Sequence, residues 1–231
     1  MKNFKNKVLY LFQFILFSIN YLKPSTFDEA KFYKENLDND IVVFDVGSNL
    51  GTYSSFLTKI LKDRNLNVYV FEPNKLLTSG YSKTIKISKG NLNIENIGVS
   101  NQQGEATFYE RNVSSYSSLS KKNLSPFHKI INEYKVKVQG IDSYCVNNKI
   151  DFIDLLKIDT ESNDLNVLLS AKTMLENTKI KLIKVEVVFD SLDYIKILNY
   201  LTNFNYVLVG INNIKYIDNK ILLSDCFFKA K

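Results

Sequence analysis

The stretch Ile41–Ser54, IVVFDVGSNLGTYS, narrows the folds open to this chain more than any other. Ile41, Val42, Val43, Phe44 and Val46 form a nearly unbroken apolar run rich in β-branched residues, the pattern of a parallel strand covered on both faces. Asp45 interrupts the run near its carboxyl end, where open α/β sheets place their ligand crevices. Gly47 and Gly51 follow at D-x-G-x-x-x-G spacing, and the sequence then reads as the start of a helix. Val68–Glu72, VYVFE, is a second apolar run ending in a carboxylate, 21 residues after Gly51. A nucleotide-binding βαβ unit carries the acid that holds the ribose hydroxyls at about that distance.

Gly47 lets the chain turn sharply off the strand through backbone angles closed to a residue with a Cβ, and Gly51 lets the helix start lie close to the strand and a ligand. A dinucleotide fingerprint is G-x-G-x-x-G, and Gly47-Ser48-Asn49-Leu50-Gly51 lacks its middle glycine. An acid at position 45 repels a pyrophosphate and suits a ligand with an amine. S-adenosylmethionine, with an amino acid end, a sulfonium and a ribose but no phosphate, meets that requirement. A ligand-free strand–turn–helix and a nicotinamide-type site remain as alternatives at this point.

Further along, Thr26–Asn36 reads as a short helix capped by Thr26 or Ser25, with Glu29 in its first turn. Pro73 suits a first helical position, with the helix running through about Ile85. Leu92–Ile97 reads as a third strand, Ala106–Tyr109 as part of a hairpin-like stretch, and the serine-rich Ser114–Ser120 as a surface loop continuing to about Tyr134. Val136–Val138 alternates like a half-exposed strand. Ile141–Tyr144 opens a short helix, Asp154–Asp159 is a fourth core strand, and Leu165–Leu175 is an amphipathic helix. Ile180–Val188 is a strand, Tyr194–Asn203 a helix, and Tyr206–Ile211, Ile214–Ile217 and Asp225–Lys229 are short closing strands. Strands alternating with helices predict an α/β doubly wound, mostly parallel sheet with an antiparallel edge.

A hydrophobic content of 45% and a charged content of 23% suit one globular domain with ample core. The net charge of +6 is spread without basic runs, and neither a zinc finger, an RNP pattern nor a basic helix speaks for a nucleic acid partner. Cys145 and Cys226 stand in no metal or redox spacing and read as buried free thiols in a reducing compartment. With His128 the only histidine, a His-based triad or a multi-histidine metal site is excluded. Residues 1–36 are expected to form an apolar helix and capping segment, and residues 37–231 the catalytic domain. Met1–Lys7 carries three lysines ahead of the apolar Val8–Ile19. That run falls short of the ~20 residues that span a bilayer, and no A-x-A-like cleavage site follows. It reads as a helix packed on the domain, an interfacial membrane helix or an uncleaved anchor.

A second group of ionisable residues lies at the end of the fourth strand. Lys157, Asp159 and Glu161 would share one face if that strand stays extended, on the rim where Asp45 and Glu72 also emerge. Groups this close perturb one another's proton affinities, which helps to deprotonate an acceptor hydroxyl. With Glu186 on the next strand, the two acids offer oxygen ligands suited to magnesium. The sequence fixes no distances among them, and no metal is predicted.

These blocks resemble the FkbM-type S-adenosylmethionine-dependent methyltransferases. The resemblance runs through FDVGSNLGTYS at 44–54, VFEP at 70–73, NIGVSNQQGEATFY at 96–109, GIDSY at 140–144, IDFIDLLKIDTES at 150–162 and the closing DCFFKAK. It implies a Rossmann-like class I methyltransferase sheet and methyl transfer to an oxygen, often on a sugar or natural-product scaffold. By analogy Asp45, Gly47, Asn49 and Gly51 hold the amino acid end of the cofactor, Glu72 its ribose, and Val99 and Ser100 border the adenine. Asp159 and Glu161 position the acceptor or take its proton, and Lys157 orients them. Two departures stand out. The family usually has glycine where this chain has Ser162, and glutamate where it has Asp164. A cofactor-binding protein with little catalysis and a nucleotide-dependent oxidoreductase are the rival readings. The expected partners are a small-molecule or glycan acceptor and no nucleic acid. The expected location is cytoplasmic, with peripheral membrane contact through residues 8–22 as the open alternative.

Overall fold

The computed structural model describes residues 27–122, 127–189, 193–217 and 220–231. Its centre is a seven-stranded sheet, built from β1 (Asp40–Val46), β2 (Asn65–Phe71), β3 (Gly90–Glu95), β7 (Ile153–Ile158), β8 (Ile180–Val188), β9 (Tyr206–Ile217) and β10 (Lys220–Ala230). The spatial order is β3-β2-β1-β7-β8-β10-β9. The first five run parallel, and β10 runs antiparallel to both its neighbours. A smaller sheet, β4-β6-β5, joins β4 (Gly98–Val99), β5 (Gly104–Arg111) and β6 (Ile130–Gln139). The doubly wound sheet with an antiparallel edge is therefore present, and its strand order reverses between β1 and β7. In such sheets the crevice at the carboxyl ends beside the reversal is the ligand site.

The apolar run of β1 is explained by its central place between β2 and β7. Ile41 and Val43 enter one core with Tyr33, Leu57, Leu66 and Val68, whereas Phe44 and Val46 enter the other with Ile141, Tyr144, Val167 and Leu168. The first layer is supplied by α1 (Glu29–Asn36) and α2 (Thr52–Ile60), and the second by α5 (Ile141–Asn148), α6 (Asp164–Leu169), α7 (Lys172–Glu176) and α8 (Asp193–Asn203). Cys145 and Cys226 are free and buried, and burial pushes both thiols up to about 12.

Several boundaries differ from those read in the sequence. Asp28 caps α1 by accepting from the Lys31 amide at 2.9 Å; Ser25 and Thr26 lie outside the described residues, as does the whole 8–22 segment. The stretch after Pro73 is two short turns of helix, α3 (Lys75–Thr78) and α4 (Tyr81–Thr84), because Asn74 takes the cap and Gly80 separates them. The helix expected over 165–175 breaks into α6 and α7 at Ser170. Its hydroxyl accepts from the Ile141 amide at 3.0 Å and donates to the Val167 carbonyl at 2.7 Å, which turns the chain. The loop expected up to Tyr134 is already strand from Ile130. No helix among the described residues is long and apolar enough to cross a membrane.

Candidate active site

Where β1 ends, the chain turns back through Gly47 at φ +73°, and a Cβ there would stand 1.9 Å from the Asp159 carbonyl oxygen. This contact lets the turns after β1 and β7 touch, so no other residue fits. The turn is then fixed from several sides. The amides of Gly47 and Ser48 donate to the Phe71 carbonyl at 3.0 and 3.3 Å, and the Tyr81 hydroxyl donates to the Asn49 carbonyl. Glu72, at the end of β2, accepts from the amides of Asn49 at 3.0 Å and Asn74 at 2.9 Å. Burial raises the Glu72 pKa, while those two N–H groups pull it back. Gly47, Asn49, Glu72 and Val99 line one cleft together with Asp159 and Glu161.

Asp45, Gly51, Ser100 and Lys157 do not line it. Asp45 is fully buried. Its carboxylate lies 3.0 Å from the Lys157 ammonium and accepts from the Ser54 hydroxyl at 2.6 Å. It therefore works behind the turn, with its charge already matched, rather than facing an amine in the cleft. Gly51 opens α2 at φ +72° against Ile85 and Tyr81. Lys157 also donates to the Gly47 carbonyl at 2.8 Å and stands 3.6 Å from Asp159. Burial alone lowers its pKa, but Asp45 and Asp159 outweigh burial and hold it above the ordinary lysine value. Both carboxylates thus favour its ammonium form, which bridges the Gly47 turn and Asp159.

The extended stretch over Lys157–Glu161 stops at Ile158. Glu161 and Ser162 both take left-handed backbone, at φ 52° and 74°, so the chain swings round after Asp159. The swing nonetheless brings Asp159, Glu161 and Glu186 together, with one oxygen from each within 4.8 Å of the others. That spacing is compatible with a divalent cation, and acidic groups also gather without one. Burial first, then Asp159 and Glu186, push Glu161 up to about 9; burial and then Asp159 and Asp164 push Glu186 up to about 8. Both carboxyls therefore hold their protons well above the ordinary carboxylate range.

A sequence profile described as the methyltransferase FkbM domain matches residues 45–208. The chain belongs to the FkbM methyltransferase family. The hexuronic acid methyltransferase AglP of Haloferax volcanii is 22% identical over 174 residues, covering 74% of this chain and 67% of its own length. The crystal structure of an FkbM methyltransferase from Methylobacillus flagellatus superposes with a TM-score of 0.53 at 16% identity. It matches 87% of this chain, and this chain spans 50% of that one. The fold is the same; at this identity the superposition says nothing about substrate.

For an FkbM methyltransferase the methyl donor is S-adenosylmethionine, and the residues of the cleft fit it. Glu72 spends one lone pair of each oxygen on a backbone amide and keeps others for hydroxyls. Val99 gives an apolar wall. The two departures from the family pattern are accommodated. Asp164 is buried and accepts from both the amide and the hydroxyl of Thr160, at 2.8 and 2.9 Å, so it ties down the turn beside Asp159. Ser162 occupies a left-handed position that glycine would fill without strain.

Two contributors were missed in the sequence: Tyr81 hooks the Asn49 turn, and Asn163 donates to the Val99 carbonyl at 2.9 Å. The serine-rich stretch, a loop of the 104–135 region, lines the cleft through Ser114, Ser115, Ser117 and Ser118.

Proposed function

We propose that this FkbM methyltransferase transfers a methyl group from S-adenosylmethionine to a hydroxyl of a sugar or glycan acceptor. The observation that carries the reading is the convergence of Asp159, Glu161 and Glu186 at the carboxyl ends of β7 and β8, with the first two also lining the cleft that holds Glu72 and Gly47. The action of a relative on a hexuronic acid supports the sugar class.

When bound, the cofactor supplies a methyl group on a sulfonium, an electrophile that needs no activation by the protein. The chain's own work is alignment and proton removal. Gly47, Asn49, Glu72 and Val99 hold the cofactor side of the cleft, and Asp45 and Lys157 brace the turn from behind. Holding both partners in line removes about 7–11 kcal/mol of barrier. The acceptor oxygen forms the new bond to carbon as the carbon–sulfur bond breaks, and the hydroxyl proton passes to a carboxylate: Asp159, or Glu161 once its own proton has left. A positioned base of this kind is worth about 10²–10⁴-fold.

The test is calorimetric titration with S-adenosylhomocysteine, with NADH as control, followed by mass spectrometry of a panel of neutral, amino and uronic sugars incubated with S-adenosylmethionine. Selective binding of S-adenosylhomocysteine and a methylated sugar support the proposal. Binding with no sugar methylated, but turnover on non-sugar hydroxyl compounds, would replace the acceptor class. Selective NADH binding would overturn the reading.

A further inference from the structure

The segment Ser114–Leu119 crosses the open side of the cleft. It starts with a single turn of 3-10 helix, Ser114–Tyr116, and is carried by β5 and β6, the arm of the three-stranded sheet β4-β6-β5. Backbone bonds between Tyr109 and Ser118, 2.8 and 3.1 Å, fasten it to β5. The Ser117 hydroxyl accepts from the Arg111 amide at 3.0 Å, and the Tyr116 ring stacks on His128 with centroids 3.5 Å apart. Segment and arm thus form one unit.

The two ends of this segment reach opposite walls. Ser114 Oγ lies 3.4 Å from Asn49 Oδ1, on the turn after β1. Ser118 Oγ donates to the Thr160 carbonyl at 2.8 Å, on the turn after β7. Leu119 closes the middle against Gly98. The free space beneath is about 40 Å³, whereas a site for a ligand of nucleoside size needs roughly 300–1,000 Å³. Lifting the segment widens the cleft toward the space that such a ligand needs. Each end meets its wall through one hydroxyl contact, Ser114 to Asn49 and Ser118 to Thr160, and the loss of such a contact shifts an opening equilibrium by about two- to tenfold.

We propose that Ser114–Leu119 is a cofactor-retaining strap, latched by Ser114 to Asn49 and by Ser118 to Thr160, and that opening of these latches sets the rate at which S-adenosylmethionine and S-adenosylhomocysteine enter and leave. The inference rests on the cleft being the cofactor site. The Lys122–Asp193 ion pair, 3.1 Å, ties the base of the arm to α8 but lies outside the latches.

Surface plasmon resonance on the immobilised full chain, with S-adenosylhomocysteine as analyte, tests it. Ser118→Ala is expected to raise the association and dissociation rate constants together by about two- to tenfold, with the equilibrium constant little changed. Ser114→Ala, at a partly exposed position, is expected to act in the same direction more weakly, and the double variant more strongly. Rates equal to wild type in all three variants would overturn the strap. A faster dissociation alone, with affinity falling in step, would overturn it too, because Ser118 would then be a simple wall contact. If the wild-type chain bound no S-adenosylhomocysteine, the cofactor reading itself would fall and the strap with it, a result distinct from unchanged rates.

Discussion

Asp45 and Lys157 face each other as register partners on β1 and β7, their charged atoms 3.0 Å apart and both side chains nearly sealed from solvent. They stand where the strand order reverses, so the pair ties together the two halves of the doubly wound sheet under the Gly47 turn. Removing one charge leaves the other buried without a partner, at a cost of about 3–5 kcal/mol. Lys157→Met is therefore expected to lower stability in urea unfolding by that amount. Replacing both, Asp45→Asn with Lys157→Met, is expected to cost less than the sum of the single changes. Additive losses would show that the pair is not coupled.

The Gly47 contact gives a sharper test. A Cβ at this position meets the Asp159 carbonyl at 1.9 Å, with φ at +73°. Gly47→Ala must push the β1 and β7 turns apart, and it is expected to abolish S-adenosylhomocysteine binding in calorimetry while the sheet, seen by circular dichroism, persists. Wild-type affinity would mean that the turn yields without disturbing the cleft.

Much of this could be read in the sequence, for a physical reason. The apolar run of β1 is legible because a central parallel strand is covered on both faces, and Asp45, Gly47 and Glu72 are legible because a βαβ turn leaves few choices of residue. Less was legible where polar residues do unusual work. The strands expected at 206–211 and 214–217 are one strand, β9. Between them Asn213 takes left-handed backbone at φ 51°, as an irregularity within the β9–β10 pairing. The face shared by Lys157, Asp159 and Glu161 failed as derived, since the chain turns after Ile158. The acids meet through that turn instead, which no alternation pattern encodes. The role of Asp45 behind the turn depends on its register with Lys157, and register lies in the fold.

Ser162 sits at φ 74° directly after Glu161 at φ 52°. A side chain in left-handed backbone costs about 1–2 kcal/mol, against about 0.5–1 kcal/mol of added chain entropy for glycine in the unfolded state. Ser162→Gly is expected to stabilise by about 0.5–1 kcal/mol and raise Tm by a few degrees. A fall in Tm would reveal a contact of the hydroxyl worth more than the strain.

Glu72 ties the turn after β1 to the start of α3 through the amides of Asn49 and Asn74. Glu72→Ala strips both amides of their acceptor, each loss costing about 1–3 kcal/mol where water cannot replace it. It is expected to weaken S-adenosylhomocysteine at least tenfold by calorimetry. Unchanged affinity would remove Glu72 from the cofactor site.

Glu161 and Glu186 make the chain's stability depend on pH in an unusual direction. Burial and the surrounding acids, Asp159 and Asp164 for both and Asp225 for Glu186, keep their protons on up to about 9 and about 8, with Lys215 drawing both down. In the unfolded chain the same groups release their protons near the ordinary value of 4.5. Between these limits the folded state binds more protons than the unfolded one, so stability falls as pH rises from about 4.5 to about 9. The effect is complete only above both folded values and vanishes below the unfolded one. Glu161→Gln and Glu186→Gln keep the shape without the charge and are each expected to flatten the decline in urea unfolding between pH about 5 and about 9. Under the proposed role Glu161→Gln should also lose activity, by up to about 10²–10⁴-fold, as expected where an active site holds stability in check. A decline unaltered in both variants would place its source elsewhere. A flattened decline with full activity would make Glu161 a structural acid and leave proton removal to Asp159.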